Sequence, residues 1–148
     1  MRQYELYIFE ESVAQEYYGQ ESKLFHLFLE YENAAPKKKE TIRKQIEYIT
    51  KPIPTLYIQQ KIKQAFKHYK GFSYYKHTNL IELKSGGKAE LMIDSQSIFV
   101  TANGTPEVEM MFFEVLRKCV PTFFAFSVED NRYGWLKPIQ PLKRSHPL

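Results

Sequence analysis

A chain of 148 residues that is 43% hydrophobic and 16% aromatic has the apolar content to bury a core, which excludes a disordered protein. No apolar run approaches the roughly 20 residues a membrane-spanning helix needs, and a net charge of +4, with acidic side chains interspersed among the basic ones, does not by itself imply nucleic acid. Cys119, the single cysteine, excludes an internal disulfide and a cysteine-built metal site. That fits a reducing cytosol, as does an N-terminus resembling no secretory signal. One domain over residues 1–148 is the expectation, in the cytoplasm.

Residues 3–9 alternate, with Tyr4, Leu6 and Ile8 on one side, and predict a short strand. Ser12 has the position of a helix N-cap, with Gln15 three residues later as in a capping box and Gly19 as the stop. On that two-turn helix Val13 and Tyr17 share a face, with Tyr18 beside them. A second helix starts near Ser22, where Leu24, Phe25, Leu27, Phe28 and Tyr31 keep a 3.6-residue period. The polar stretch 33–37 ends it as a surface connection. Residues 38–50 predict a third helix, with Ile42, Ile46 and Ile49 inward and Gln45 and Tyr48 on a neighbouring face, ended by Pro52 and Pro54. Thr55 is placed to cap a fourth helix, in which Ile58, Ile62, Ala65, Phe66 and Tyr69 hold the period as far as Gly71.

After Gly71 the period changes to that of strands, predicted at 72–76, 80–84, 89–93 and 98–101. The turns Ser85-Gly86-Gly87-Lys88 and Asp94-Ser95-Gln96 make this part an antiparallel meander. Asn103-Gly104 leads into a helix with Val108, Met111, Phe112, Val115, Leu116 and Cys119 on one face. It stops at Pro121, and the aromatic run 122–128 reads as a buried strand. These aromatics read as core packing with nothing titratable among them, and Cys119 as a small core residue. The fold class is α+β: a mixed or antiparallel sheet with an N-terminal helical cluster and a C-terminal core helix packed on it.

The search for chemistry returns absences. His26, His68, His77 and His146 stand apart, without ligand spacing for a metal. Gly86-Gly87-Lys88 lacks the rest of a phosphate loop, and no nucleophile elbow is present. The pattern names no catalytic residue, cofactor or metal. Arg132-Tyr133-Gly134-Trp135-Leu136-Lys137-Pro138 reads as a structural corner anchored by Trp135, with a small-molecule site there as an alternative. Lys37-Lys38-Lys39 with Arg43-Lys44, and Lys61, Lys63, Lys67 and Lys70, read as solvated helix faces, with a nucleic-acid-binding regulator as the alternative. Tyr17, Tyr18 and Tyr48 lie on helices with better apolar candidates for their inner faces, and exposed tyrosines are favoured in protein interfaces.

Four blocks carry a resemblance over essentially the whole chain: Glu16-Tyr17-Tyr18-Gly19-Gln20-Glu21-Ser22, Lys44-Gln45-Ile46-Glu47-Tyr48-Ile49-Thr50-Lys51-Pro52-Ile53-Pro54, Phe112-Phe113-Glu114-Val115-Leu116-Arg117-Lys118 and Arg132-Tyr133-Gly134-Trp135-Leu136. Together they resemble the SirA family, the sporulation inhibitor of replication of endospore-forming bacteria. The resemblance implies a cytoplasmic, non-catalytic inhibitor that binds the N-terminal domain of the initiator DnaA and reaches the origin through it. No direct DNA contact and no membrane are required. It implies a contact surface made by the first short helix and the helix before the Ile-Pro pair, which places Val13, Tyr17, Gln45 and Tyr48 at the interface, with Tyr18 and Ile49 adjacent. Val13 departs from the family pattern, which has an aromatic residue there, and the stretch 70–97 supports no transfer of function.

Overall fold

The computed structural model describes residues 1–141. Its architecture follows from strands that are apolar on both sides. In β1 (Arg2–Phe9) Tyr4, Leu6 and Ile8 enter one apolar cluster, while Tyr7 and Phe9 enter a second. β7 (Phe123–Ser127) repeats this, with Phe123 and Ala125 in the first cluster and Phe124 and Phe126 in the second. Successive side chains of a strand point to opposite faces, so an uninterrupted apolar run marks a strand with a layer on each side.

The remaining strands are β2 (Thr50–Lys51), β3 (Phe72–Tyr75), β4 (Thr78–Glu82), β5 (Lys88–Ile93), β6 (Ile98–Asn103) and β8 (Arg132–Trp135). They form one eight-stranded sheet in the order β3-β4-β5-β6-β1-β7-β8, every pair antiparallel, with β2 alongside the end of β1. The predicted meander is the β3–β6 half. β1 pairs with β6 through Leu6↔Ile98 and with β7 through Leu6↔Ala125, so it is a central strand.

The helices divide between the two faces. α4 (Thr55–Ala65) and α5 (Glu107–Cys119) supply Ile58, Ile62, Val108, Phe112 and Leu116 to the first cluster. α2 (Glu21–Asn33) and α3 (Pro36–Ile49) supply Leu24, Phe25, Phe28, Ile42 and Ile46 to the second, and α1 (Glu11–Glu16) packs Val13 against it. The protein is therefore α+β, with an antiparallel sheet, an N-terminal helical cluster on one face and the core helix on the other. Cys119 is half-buried, and burial pushes its thiol pKa up, the behaviour of a packing residue rather than a nucleophile.

Several expectations are corrected. Ser12 does not cap α1; Glu10 takes the cap position, with no side-chain hydrogen bond. α3 begins at Pro36, because a proline suits the first helical position, where its missing N–H has no partner to lose. α4 ends at Ala65 rather than running to Gly71, with Phe66 as its C-cap. The corner at Arg132 is the edge strand β8, with Trp135 opposite Phe124. A titratable group does lie within the core helix: Glu109, 1% exposed, accepts from Arg2 Nε and Nη2 at 2.6 Å each and from the Tyr4 hydroxyl at 2.7 Å.

Gly71 makes the turn into β3. A Cβ there would lie 2.2 Å from the Glu82 carbonyl oxygen, and Glu82 donates its N–H to the Gly71 carbonyl at 2.9 Å. Gly71→Ala is expected to lower stability by about 1–3 kcal/mol, as overpacking against backbone does. Denaturant unfolding checks this, and an unchanged midpoint would show that the turn yields without cost.

Candidate protein-partner surface

The surface is assembled where β1 runs into α1 and α3 runs into β2. The pairings Ile8↔Lys51 and Phe9↔Thr50 bring the two junctions side by side. The Glu10 N–H then donates to the Ile49 carbonyl at 3.1 Å, Thr50 Oγ1 donates to the Ile46 carbonyl at 2.7 Å, and Lys51 Nζ stands 3.9 Å from the Glu10 carboxylate. The first bond satisfies a carbonyl left open at the C-terminus of α3 and ties that end to the start of α1 through backbone, while the Thr50 hydroxyl adds a second bond to the Ile46 carbonyl, which the Thr50 N–H already meets.

On α1, Ala14 is buried, and Val13 and Tyr17 are partly buried against the second cluster. The helix ends as the Tyr17 N–H bonds the Val13 carbonyl at 2.9 Å, and Gly19 turns the chain at φ +79. A left-handed residue just past a helix end is the usual role of glycine. Tyr18, next to Tyr17, is exposed.

On α3, Ile42 and Ile46 face the core. One flank carries Arg43, which pairs with Glu40 and Glu47. The other flank carries Gln45, Tyr48 and Ile49, positions one turn apart that share a face. Gln45 is exposed, Tyr48 is 86% exposed, and Ile49 is partly buried in the same cluster as Val13 and Tyr17. The fold thus brings three of the six predicted residues, Val13, Tyr17 and Ile49, onto the second cluster from two helices separated in sequence, while Tyr18, Gln45 and Tyr48 are exposed.

The chemistry of this surface is that of contact rather than reaction. It offers phenol rings, one primary amide and aliphatic edges, with no ionisable carboxylate or amine among the six residues. Such a surface gains from filling a partner's pockets with stiff rings and from directional hydrogen bonds. The six residues themselves carry no charge for salt to screen.

The Arg132–Trp135 alternative finds less support. Trp135 stands edge-on to Phe9 at 5.6 Å and to Phe124 at 5.0 Å, so its ring covers the core. The adjoining cleft of about 230 Å³ is smaller than the roughly 300–1,000 Å³ of small-molecule sites. Among the described residues no helix is long and apolar enough to cross a membrane, and no group of three or more His, Cys, Asp or Glu is placed to hold a metal ion.

Sequence reading missed the Arg2–Tyr4–Glu109 group. Its members lie more than a hundred residues apart, with |i−j| of 107 for Arg2 and 105 for Tyr4, and only the acidic residue on an otherwise apolar helix turn pointed to it.

Comparison with known proteins accords with this architecture. The family model described as sporulation inhibitor of replication protein SirA matches residues 2–140. The chain is 38% identical over 143 residues to the sporulation inhibitor of replication protein SirA of Bacillus subtilis (strain 168), an alignment covering 94% of this chain and 95% of that protein. Since the match takes in every strand and helix described above, the chain belongs to the SirA family of sporulation inhibitors of replication.

Proposed function

We propose that this protein inhibits the initiation of chromosome replication by seating α1 and the last turn of α3 on the N-terminal domain of the initiator DnaA. The observation that supports the reading is the backbone clasp between Glu10 and Ile49, which ties the end of α3 to the start of α1, with Val13, Tyr17 and Ile49 on one cluster and Tyr48 86% exposed. A tyrosine so exposed at a rigid helix end has little folding role and is preorganised for a partner. Inhibition is steric: the covered surface of the initiator is no longer available for self-association or for recruiting other replication proteins. The protein acts in the cytoplasm and reaches the origin through its partner.

Calorimetric titration with the isolated N-terminal domain of the cognate DnaA tests this. Tyr48→Ala is expected to weaken binding by about 2 kcal/mol, roughly 30-fold, with stability changed by only about 0.5 kcal/mol. Tyr17→Ala is expected to act on both, because its ring also packs against the second cluster; a folding loss of about 1–2 kcal/mol should accompany the loss of affinity. Full affinity in Tyr48→Ala would move the contact to another surface, and absence of binding by the wild-type protein would remove the reading.

A further inference from the structure

The segment 52–81 builds a second surface on the other side of the sheet. Its thirty residues include Lys61, Lys63, Lys67, Lys70 and Lys76 and no aspartate or glutamate, and all five lysines are exposed. None of them has a carboxylate at ion-pair distance among the described residues. On α3 acidic residues are interspersed among the basic ones and Arg43 is matched by Glu40 and Glu47, though Lys37, Lys38, Lys39 and Lys44 also lack an ion pair among the described residues.

The fold concentrates these charges instead of scattering them. α4 is fixed beside the edge of the sheet by a reciprocal amide pair: Gln59 Nε2 donates to Asn79 Oδ1 at 2.7 Å, and Asn79 Nδ2 donates back to Gln59 Oε1 at 3.0 Å. Lys63 of α4 therefore sits over the Tyr74 ring of β3, 4.2 Å from its centroid, and Lys76 lies 5.4 Å from the Tyr75 centroid. Tyr74 is 37% and Tyr75 73% exposed. Rings left open to solvent with ammonium groups beside them are the two ingredients of a strand-binding face: lysine meets phosphate, and tyrosine stacks on a base.

We propose that the α4–β3 face binds single-stranded DNA, with Lys63, Lys67 and Lys76 on phosphates and Tyr74 and Tyr75 stacked on unpaired bases. A duplex keeps its bases stacked inside and has nothing to offer these rings. A lipid surface needs an apolar side to insert, and Leu56 is the one large aliphatic side chain exposed on α4. The choice of DNA over RNA rests on the replication reading above. α1 and α3 lie on the opposite face of the sheet, so a protein partner and a strand can be held together.

The test is fluorescence anisotropy of a labelled oligo-dT with the full chain and no DnaA present. Binding is expected to weaken about 20-fold between about 50 and about 200 mM NaCl, the counterion release of about three phosphates on a single strand. The triple variant Lys63→Gln, Lys67→Gln, Lys76→Gln should lose at least about tenfold and most of the salt slope. Tyr74→Ala with Tyr75→Ala should lose about tenfold at constant charge. Lys37→Gln, Lys38→Gln, Lys39→Gln removes the same charge from α3 and should change affinity less than about twofold. All these side chains are exposed except Lys39, which is half-buried over the Tyr31 ring, and unchanged melting confirms that each variant is folded. The proposal fails if anisotropy does not change at low salt, if both lysine triples lose equally, if duplex binds as well as oligo-dT, if oligo-U binds more tightly, or if only vesicles of anionic lipid are bound. The calorimetric titration with the DnaA domain, repeated on the Lys63, Lys67, Lys76 triple, should be unaffected, so the two readings fail separately.

Discussion

Phe28→Ala is expected to lower stability by about 4 kcal/mol, within the range for a fully buried aromatic truncated to alanine, and the melting temperature by about 10 °C for a chain of this length. Phe28 is 2% exposed. It stacks on Phe126 with centroids 4.3 Å apart and planes at 17°, lies against Tyr7 at 4.8 Å, and meets Phe9 edge-on at 6.2 Å. One ring of α2 therefore touches β1 and β7 together. Rings held on two adjacent strands cannot close in on the space it leaves, so loss of contact adds to the loss of burial. The effect should reach the proposed partner surface as well, since Val13, Tyr17 and Ile49 pack on the same cluster. Phe28→Leu should recover part of the loss by refilling the volume. Denaturant unfolding with an unchanged slope measures it, and a loss under about 1 kcal/mol would mean that the cluster repacks freely.

Arg2→Ala is expected to remove about 3 kcal/mol at neutral pH, because it strands a buried carboxylate. Burial by itself pushes the Glu109 carboxyl up; the hydrogen bonds from Arg2 and Tyr4 outweigh it and hold the carboxyl below its ordinary value. A carboxyl lowered on folding contributes stability that is complete above about 4.5, its unfolded value, and is lost as pH falls through the lower folded one. Tyr4 behaves in the opposite sense. Burial, then its hydrogen bond to Glu109, raises its pKa from 10.0 to about 12, so its contribution is present below pH 10.0 and is lost as pH climbs toward 12. Melting temperature against pH should thus fall at both ends in the wild-type protein. The gap between wild type and Arg2→Ala should be widest at neutral pH and narrow in acid, where protonation relieves the stranded carboxylate. Glu109→Gln should flatten the acid limb. A gap independent of pH would show that Arg2 acts through packing alone.

What could be read from the sequence was what repeats locally. The 3.6-residue period of Leu24, Phe25 and Phe28 and of Val108, Phe112 and Leu116 located α2 and α5, and the aromatic run located β7. Glycine and aspartate turns located the meander. Contacts whose partner is remote left no local mark. β2 is only two residues long and exists because Phe9 lies opposite Thr50. β8 contains Gly134, which weakens any strand signal, and it is extended because Trp135 pairs with Phe124. Glu109 lies among core residues because Arg2 comes to meet it. The candidate surface shows the same division. Helical spacing placed Val13 with Tyr17 and Gln45 with Tyr48, but nothing local joined the two helices; that follows from the sheet pairing behind them. Nor did spacing show that Tyr17 is partly buried while Tyr48 is not, because this depends on where α2 lies.

The middle position of β1 has a consequence for when the protein can act. Its two long partners, β6 and β7, come late in the chain, and at the about 5–20 residues per second of synthesis the first strand waits on the order of ten seconds for the last of them. During that time α1 and α3 have no completed sheet to rest on, and the clasp at Glu10 and Ile49 has no fixed strand behind it. A chain that ends before β7 lacks the strand that pairs with one side of β1, and contacts this distant in sequence make folding slow once the chain is complete. The dose of inhibitor is therefore counted in finished chains.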